Sequence, residues 1–176
     1  PAARPKTPAD AVPPDAGGGE AGPDKGVRKR LGGPAGSTGE IVEHAGYTYG
    51  KDSAGRLVKA RGRLCLEEGA GYSRDVSEAV RARGAAGDDA GHVIAKRFGA
   101  DFNLDTAVPQ NANLNRGQYR AMENELANHV KAGRKVDVEV EVSYLGVSTR
   151  PDGFTVSATV DGQIQKWVFQ NTPGGR

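Results

Sequence analysis

The sequence predicts an α+β fold built from an antiparallel sheet and one long helix. Residues 136–144 alternate between apolar and polar side chains, which is typical of a strand with one buried face. Residues 154–160 repeat this alternation and lead into Asp161-Gly162, a dipeptide typical of a tight hairpin turn. In residues 115–131 the apolar side chains recur every three or four positions, which predicts a helix that buries one stripe. A chain of 176 residues is long enough for one such domain with a core.

The N-terminal segment 1–40 is rich in residues that break regular structure. It holds 16 glycines and prolines and almost no large apolar side chain. We therefore predict a disordered leader over 1–40, allowing one turn of helix around Val27–Leu31. The basic run within that turn is better explained as a solvated charge cluster than as a nucleic-acid contact. A folded domain over 41–171 and a flexible tail over 172–176 complete the predicted organisation.

The first half of the predicted domain contains strands, a short helix and a polar loop. Tyr47 and Tyr49 belong to one predicted strand and 57–66 to the next, with a turn over 52–55 between them. Residues 74–83 predict a short helix that ends before two glycines. Residues 88–110 show little periodicity and many polar side chains, so we predict a loop of the kind that often carries functional residues.

The second half consists of the long helix and three strands. The apolar stripe of the helix runs from Tyr119 through Met122 and Leu126 to Val130. Gly133 is predicted to end the helix. After the hairpin turn, Ile164–Phe169 is predicted to return as the last strand.

Composition excludes several classes of protein. The net charge of +2 does not by itself predict a nucleic-acid-binding protein, so only local clusters of basic residues could neutralise phosphates. The single cysteine, Cys65, excludes an intrachain disulfide and a zinc cluster built on cysteines. Because Cys65 lies between two leucines, we expect it to be buried. No stretch approaches 18 consecutive apolar residues, so no membrane span is predicted.

Polar residues in the middle of the chain are the candidates for chemistry. His92 closes the run Asp88-Asp89-Ala90-Gly91-His92, and Asn115 stands near the start of the predicted helix. Asn115, Tyr119 and Glu123 are four residues apart in turn, so they are predicted to share one helix face. Each of these residues has a simpler explanation when taken alone. Asn115 could cap the helix, Glu123 could be a solvated charge, and His92 could be a hydrogen-bonded structural histidine.

Taken together, these residues resemble the DNA/RNA non-specific endonuclease family, which belongs to the ββα-metal nuclease superfamily. The resemblance rests on Asp89-x-Gly91-His92, on Leu114-Asn115-Arg116-Gly117 and on Glu123, and it covers residues 47–171. It implies a ββα-metal nuclease core in which the helix bears the metal ligand. Three longer stretches are similar to the branch of the family found at the C-termini of bacterial polymorphic toxins: Asp88 to Gly99, Val108 to Asn111 and Met122 to Glu125.

The resemblance implies a chemical role for each of these residues. His92 would act as the general base, since imidazole titrates at about pH 6.5 and can take a proton from the attacking water. Asn115 would be the metal ligand, holding a largely hydrated Mg²⁺ for which Mn²⁺ could substitute. Glu123 would orient a water of that ion. Asp89 would have a structural role, orienting its own loop or His92.

The sequence departs from the family pattern at position 90, where Ala90 stands in place of the usual arginine. An arginine that stabilises the transition state must therefore come from elsewhere or be absent. Arginines are expected to clamp the scissile phosphate, and Arg116 and Arg97 are the nearest candidates for this catalytic role. Four further arginines are candidates for nucleic-acid binding: Arg81, Arg83, Arg120 and Arg150.

The predicted function is thus a metal-dependent, sequence-nonspecific endonuclease that cuts DNA and, by its family, RNA. Its helices lack the run of Arg, Asn and Gln residues that suits readout of the major groove. The family and the leader together imply an effector at the C-terminus of a larger protein that is secreted or delivered into a target cell. A cognate immunity protein is the expected protein partner, and we expect a monomer that does not bind membranes.

Other function classes remain open at this point. A catalytically silent nucleic-acid-binding or protein-interaction module with a decayed site would explain Ala90, although the joint presence of His92, Asn115 and Glu123 argues against decay. A zinc-bound HNH nuclease would need several His or Cys ligands close together. The chain offers only Cys65 and three scattered histidines. A hydrolase based on Cys65 and a histidine is the weakest of these alternatives.

Overall fold

The computed structural model of the chain describes residues 27–30, 39–69 and 71–175. The expected disorder of the leader falls mostly on residues outside these ranges. The boundaries of leader, domain and tail stay predictions. The elements in chain order are β1 (Val27–Arg30), β2 (Glu40–His44), β3 (Tyr47–Lys51), β4 (Leu57–Arg63), α1 (Arg74–Arg81), β5 (Asp88–His92), β6 (Ala107–Asn111), α2 (Ala112–Leu114), a π-helical turn (Asn115–Tyr119), α3 (Arg120–Lys131), β7 (Val136–Ser143), β8 (Gly153–Val160) and β9 (Gln163–Gln170).

The expected turn of helix around Val27–Leu31 is wrong. Strand β1 occupies Val27–Arg30 and pairs antiparallel with β2, with Val27 opposite Glu43 and Arg30 opposite Glu40. The outer edge of β2 presents backbone N–H and C=O groups that need partners, and an added strand satisfies them. Such a partner is a tertiary feature that the glycine-rich surroundings of β1 do not reveal.

Seven antiparallel strands form the main sheet, in the order β1-β2-β3-β4-β7-β8-β9. Strand β7 alternates strictly between buried and less buried residues, because one face packs on the core and the other faces solvent. The hairpin from β8 to β9 turns at Asp161-Gly162, where both residues have positive φ angles, as the sequence predicts. The antiparallel sheet of the predicted α+β fold is confirmed.

The loop predicted over residues 88–110 is wrong in part, because β5 and β6 form a second, two-stranded sheet. Their register runs from Asp88 opposite Asn111 to His92 opposite Ala107. In β6 the four residues from Ala107 to Gln110 are all buried, so no alternation marks the strand. A Cβ at Gly91 would collide with the side chain of Gln110, which explains the need for glycine there. Burial on both faces removes the period of two on which the sequence prediction depended.

The long helix, which comprises α2, the π-helical turn and α3, follows β6 directly. The two-stranded sheet β5–β6, called the ribbon from here on, therefore forms a ββα unit with this helix. Asn111 caps it, accepting hydrogen bonds through its side chain from the backbone N–H groups of Asn113 and Leu114. Asn115 is therefore not the cap, and its side chain is available for another role. The helix ends before Gly133, which has a φ of 76°. No helix in the described part of the chain is long and apolar enough to cross a lipid bilayer.

The core lies between this helix and the inner face of the main sheet. Tyr119, Met122 and Leu126 belong to one cluster with the buried valines of β7. The ring of Tyr119 lies 5.3 Å from that of Phe169, centroid to centroid, and its hydroxyl donates to the carbonyl of Val93 at 2.8 Å. Tyr119 thus lies in the core and attaches the helix to the segment after β5.

Cys65 is exposed, so its expected burial is wrong. Strand β4 ends at Arg63, and the next residue, Leu64, turns into the core. Neighbouring side chains in extended backbone point in opposite directions. The thiol of Cys65 therefore faces outward, 3.7 Å from the carbonyl oxygen of Phe98.

Buried polar contacts of Asp88 and Asn171 join the ribbon to the main sheet. The carboxylate of Asp88, 1% exposed, receives two hydrogen bonds from Arg150, at 2.7 and 2.9 Å. The side chain of Asn171 is buried as well and bonds to the backbones of Asn111, Pro109 and Pro151. Arg150, a predicted nucleic-acid contact, neutralises this buried carboxylate, and no other described cation pairs with Asp88.

We expect Arg150→Met to destabilise the fold by about 3 kcal/mol, since it leaves the buried Asp88 carboxylate without its counter-ion. Urea unfolding at pH 7 measures this loss. Arg63→Met is the matched control, because Arg63 and Asp137 form a half-exposed pair whose removal should change the free energy of unfolding little. Equal losses in the two variants would contradict the role given to Arg150.

Candidate active site

A cleft of about 230 Å³ opens where the ribbon meets the long helix. Three of the residues predicted from the sequence, His92, Asn115 and Glu123, lie together in its wall. Residues from β5, from the turn after it and from the helix contribute the lining. They are Ala90, His92, Ala95, Lys96, Arg97, Asn115 and Glu123.

His92 ends β5 with most of its imidazole ring buried. The ring packs on Phe102 with 4.7 Å between centroids. Its Nε2 atom is buried and has no hydrogen-bond partner among the described residues. This leaves Nδ1 as the ring nitrogen open to the cleft. Burial, aided by the positive charge of Lys96, lowers the pKa of His92 to about 4. The imidazole is therefore neutral at physiological pH and can accept a proton.

Asp89 holds the helix segment that carries Asn115. Its carboxylate accepts a hydrogen bond from Nδ2 of Asn115 at 2.9 Å and two from Arg116, at 2.8 and 2.6 Å. Burial alone would raise the pKa of Asp89, but the hydrogen bonds from Arg116 and Asn115 outweigh it and lower the pKa. We expected Asp89 to orient His92 or its own loop. In the structure its carboxylate contacts the helix and not His92, because Asp89 and His92 are three residues apart and point to opposite faces of β5.

The contact with Asp89 determines how the amide of Asn115 is turned. An ionised carboxylate can only accept hydrogen bonds, so it selects the NH₂ group of the amide. The amide oxygen of Asn115 is left without a donor in the described part of the chain and is available to the cleft that Asn115 lines. A fixed, unpartnered oxygen of this kind suits a hard cation.

Glu123 lines the cleft one full turn beyond the π-helical segment. In an uninterrupted α-helix, positions eight residues apart differ by about 80° around the axis. In the π-helical turn Asn115–Tyr119, each hydrogen bond spans one more residue than in an α-helix. This reduces the offset, so Asn115 and Glu123 lie on the same side of the helix. Burial raises the pKa of Glu123 to about 7, against the opposing influence of Arg97 and Arg120.

The arginines proposed from the sequence fall into different surroundings. Only Arg97 lines the cleft, and its guanidinium also donates to Asn124 at 2.6 Å. Arg116 is paired with Asp89 in a two-point contact while its side chain stays 70% exposed. Arg81 and Arg120 act electrostatically on Asp89 and Glu123, respectively. The carbonyl of the exposed Arg83 accepts a hydrogen bond from Thr149.

Lys96 is a cleft residue that the sequence analysis missed. It lies within the stretch used to recognise the family, but nothing in the local pattern distinguishes it from a surface lysine. Its ammonium group is 3.9 Å from the carboxylate of Glu68, which is 89% exposed, so this ion pair is weak. The side chain is therefore free to bind an anion in the cleft.

The donor set around the cleft fits a divalent cation held mainly by water. Among the described residues no group of three His, Cys, Asp or Glu side chains could hold a metal ion. This disfavours a zinc site of the HNH type, which needs such a cluster. The amide oxygen of Asn115 offers one hard ligand, and Mg²⁺ commonly keeps several waters beside few protein ligands. The residues present thus fit the expected ion.

Comparison with known sequences places most of the chain in one family. A sequence model described as "DNA/RNA non-specific endonuclease" matches residues 38–162. The type VII secretion system protein EssD of Staphylococcus aureus (strain USA300) is 29% identical over 131 residues, which are 70% of this chain and 21% of that protein. The probable deoxyribonuclease RhsA of Dickeya dadantii (strain 3937) is 27% identical over 128 residues, 70% of this chain and 9% of that protein. The chain thus spans about a fifth or less of these relatives.

Solved structures with a similar fold include two nucleases. The magnesium-bound NucA of Streptococcus agalactiae has a TM-score of 0.57 at 15% identity, over 85% of this chain and 83% of that one. The Sda1 nuclease with bound zinc ion has a TM-score of 0.60 at 16% identity, over 77% of this chain and 76% of that one. These likenesses confirm the expected ββα-metal nuclease fold.

We expect Glu123→Gln to stabilise the metal-free protein at pH 8 but to change little at pH 5. The folded protein keeps the Glu123 carboxyl protonated up to about pH 7. Between the ordinary pKa of about 4.3 and that value, only the unfolded chain loses this proton, so stability falls as pH rises. The neutral glutamine removes this loss, which amounts to up to about 3 kcal/mol.

Urea unfolding in EDTA at the two pH values measures the effect. Glu125→Gln, at an exposed position of the same helix, is the matched control and should show equal differences at both. A Glu123→Gln difference that does not change with pH would mean that Glu123 does not titrate as described.

Proposed function

The chain belongs to the DNA/RNA non-specific endonuclease family, and from this membership we propose that it is a metal-dependent endonuclease. It hydrolyses the phosphodiester bonds of DNA, and also of RNA, without reading the base sequence. One observation carries the proposal. A neutral His92 and an Asn115 amide fixed by Asp89 line a single cleft.

His92 supplies the base for this reaction. Its accessible Nδ1 takes a proton from the water that attacks the phosphorus. A base with a pKa of about 4 would be weak, and burial is the larger cause of this low pKa, with the positive charge of Lys96 the smaller one. A phosphate bound beside Lys96 would offset the smaller cause and so raise the basicity of His92 in part.

Asn115 and Glu123 line the same cleft as His92. The amide oxygen of Asn115 would hold Mg²⁺, or Mn²⁺ as a substitute, and the ion would stabilise negative charge that develops on the phosphate. Glu123 accepts a hydrogen bond from water in the cleft and orients it. Its carboxyl group is poised for this because its pKa of about 7 allows both protonation states near neutral pH.

Lys96 and Arg97 are the cations that bind the scissile phosphate. Both line the cleft, whereas Arg116 is already paired with Asp89. Ala90 also lines the cleft. The charge that the family carries at position 90 is therefore supplied from the turn after β5. Contacts of this kind recognise phosphate and carry no base information, which accounts for cutting without sequence preference.

We expect His92→Ala to lower the rate of DNA cleavage by about 10²- to 10⁴-fold, the range that a general base contributes. Asn115→Ala should lower it comparably and weaken the dependence on Mg²⁺. Nicking of supercoiled plasmid in Mg²⁺ and in EDTA measures both.

Asn113→Ala is the matched control, since Asn113 is exposed on the same turn of helix and lies outside the cleft. It should cut like wild type. If His92→Ala also cuts at the wild-type rate, the mechanism is wrong. If wild type does not cut in Mg²⁺ or Mn²⁺, the chain is instead a silent nucleic-acid-binding module.

We expect Lys96→Met to lower kcat/KM on the order of 10²-fold, because it removes a cation from the developing charge. Lys96→Arg should retain most of the activity. Lys131→Met, at the exposed end of α3, is the control for loss of one positive charge. Full activity in Lys96→Met together with a large loss in Arg97→Met would transfer the role to Arg97.

The biological role proposed is that of a toxic effector delivered as the C-terminal part of a larger protein. Its support is the likeness to a type VII secretion system protein and to a probable deoxyribonuclease, each several times longer than this chain. A cognate immunity protein that covers the cleft is the proposed partner. Growth of cells that express the chain or its His92→Ala variant provides the readout. Equal growth of the two would count against this role.

A further inference from the structure

We infer that Tyr72 is a stacking platform for an unpaired nucleobase, so that the enzyme favours single-stranded or locally melted substrate. The inference rests on the proposed nuclease function. It adds a subsite that phosphate contacts alone would not need. Tyr72 is 64% exposed, and every other Tyr, Phe and Trp of the described chain is at least half-buried.

The ring of Tyr72 is connected to the candidate base by one intervening ring. Tyr72 and Phe102 stack at 5.4 Å between centroids, with only 18° between their planes. Phe102 is buried and packs in turn on His92 at 4.7 Å. The centroid of Tyr72 therefore lies no further from the imidazole than these two distances together.

Backbone contacts connect the residues before Tyr72 to the turn that carries Lys96. Glu67 forms a bridge with Phe98, and the N–H of Gly69 donates to the carbonyl of Lys96 at 3.0 Å. Lys96 itself lines the cleft. The residue after Tyr72, Ser73, caps α1 by accepting a hydrogen bond from the backbone of Val76. The ring is thus anchored on both sides in sequence.

A ring with this placement suits the flat face of a base. One face of Tyr72 is supported by Phe102, and its exposure leaves the remaining surface to solvent. Every base has a π face, so stacking adds affinity without sequence preference. Successive bases along a strand are about 3.4 Å apart. A base stacked on Tyr72 would therefore lie within about three nucleotides of the scissile phosphate.

A preference for single-stranded substrate follows from base stacking on Tyr72. In a duplex each base is already stacked on its neighbours and paired, and taking it out of the stack is costly. An unpaired strand offers its base faces at little cost. Arg74, 85% exposed and two residues further along, can accompany the backbone of such a strand.

The test compares kcat/KM on single-stranded and double-stranded oligonucleotides of one sequence. Tyr72→Leu keeps an apolar cover on Phe102 but removes the π face. It should lower kcat/KM about 10-fold on the single strand and less than about twofold on the duplex. Tyr72→Phe should match wild type on both. An equal loss on both substrates, or a Tyr72→Phe variant as slow as Tyr72→Leu, would overturn the inference.

Abasic sites give a second readout that a merely structural role would not move. In a single strand that contains one abasic position, wild type should cut less at phosphates a fixed short distance from that position. The Tyr72→Leu variant should show no such local decrease. A decrease of equal size in both proteins would show that another group reads the base.

A failure of the proposed function looks different. In that case wild type leaves both substrates uncut in Mg²⁺, whatever stands at position 72. Fluorescence anisotropy of a labelled single strand in EDTA then decides the inference by itself. Weaker binding of Tyr72→Leu supports the platform, and unchanged binding refutes it.

Discussion

The arrangement of the site depends on one buried carboxylate, that of Asp89. It is ionised because Arg116 and Asn115 donate to it, and it can only accept hydrogen bonds, so it determines which end of the Asn115 amide faces the cleft. The same contact joins β5, which carries His92, to the first turns of the helix. His92 and Asn115, the proposed base and metal ligand, are thus positioned by one interaction, supported by the bidentate geometry of the Arg116 pair.

Burial in the cleft shifts the pKa values of His92 and Glu123 in opposite directions. Loss of solvent disfavours charge, so it lowers the pKa of His92 and raises that of Glu123. Both groups are thereby turned toward their neutral forms in the free protein. A bound phosphate and a bound cation would change this balance, since each would bring charge close to these two groups.

Some of the basic side chains neutralise carboxylates of the fold, and others line the cleft. Arg150 and Arg116 neutralise Asp88 and Asp89, two neighbouring carboxylates on β5. Lys96 and Arg97 have only exposed or neutral partners and line the cleft. The chain lacks the family's arginine at Ala90 but still has these two cations in the cleft. The exposed ring of Tyr72 is the proposed stacking surface for a base.

Periodicity alone determined the strands β7 to β9 and the helix that ends before Gly133, because each buries one face. The family motif indicated His92, Asn115 and Glu123 as the candidate site residues. Neither could reveal the ribbon β5–β6, since β6 is buried throughout and shows no alternation. Only the tertiary structure decided that Asn111 caps the helix and that Arg116 belongs to Asp89 while Lys96 belongs to the cleft. These choices depend on which side chains meet across folded elements, and separation along the chain carries no information about that.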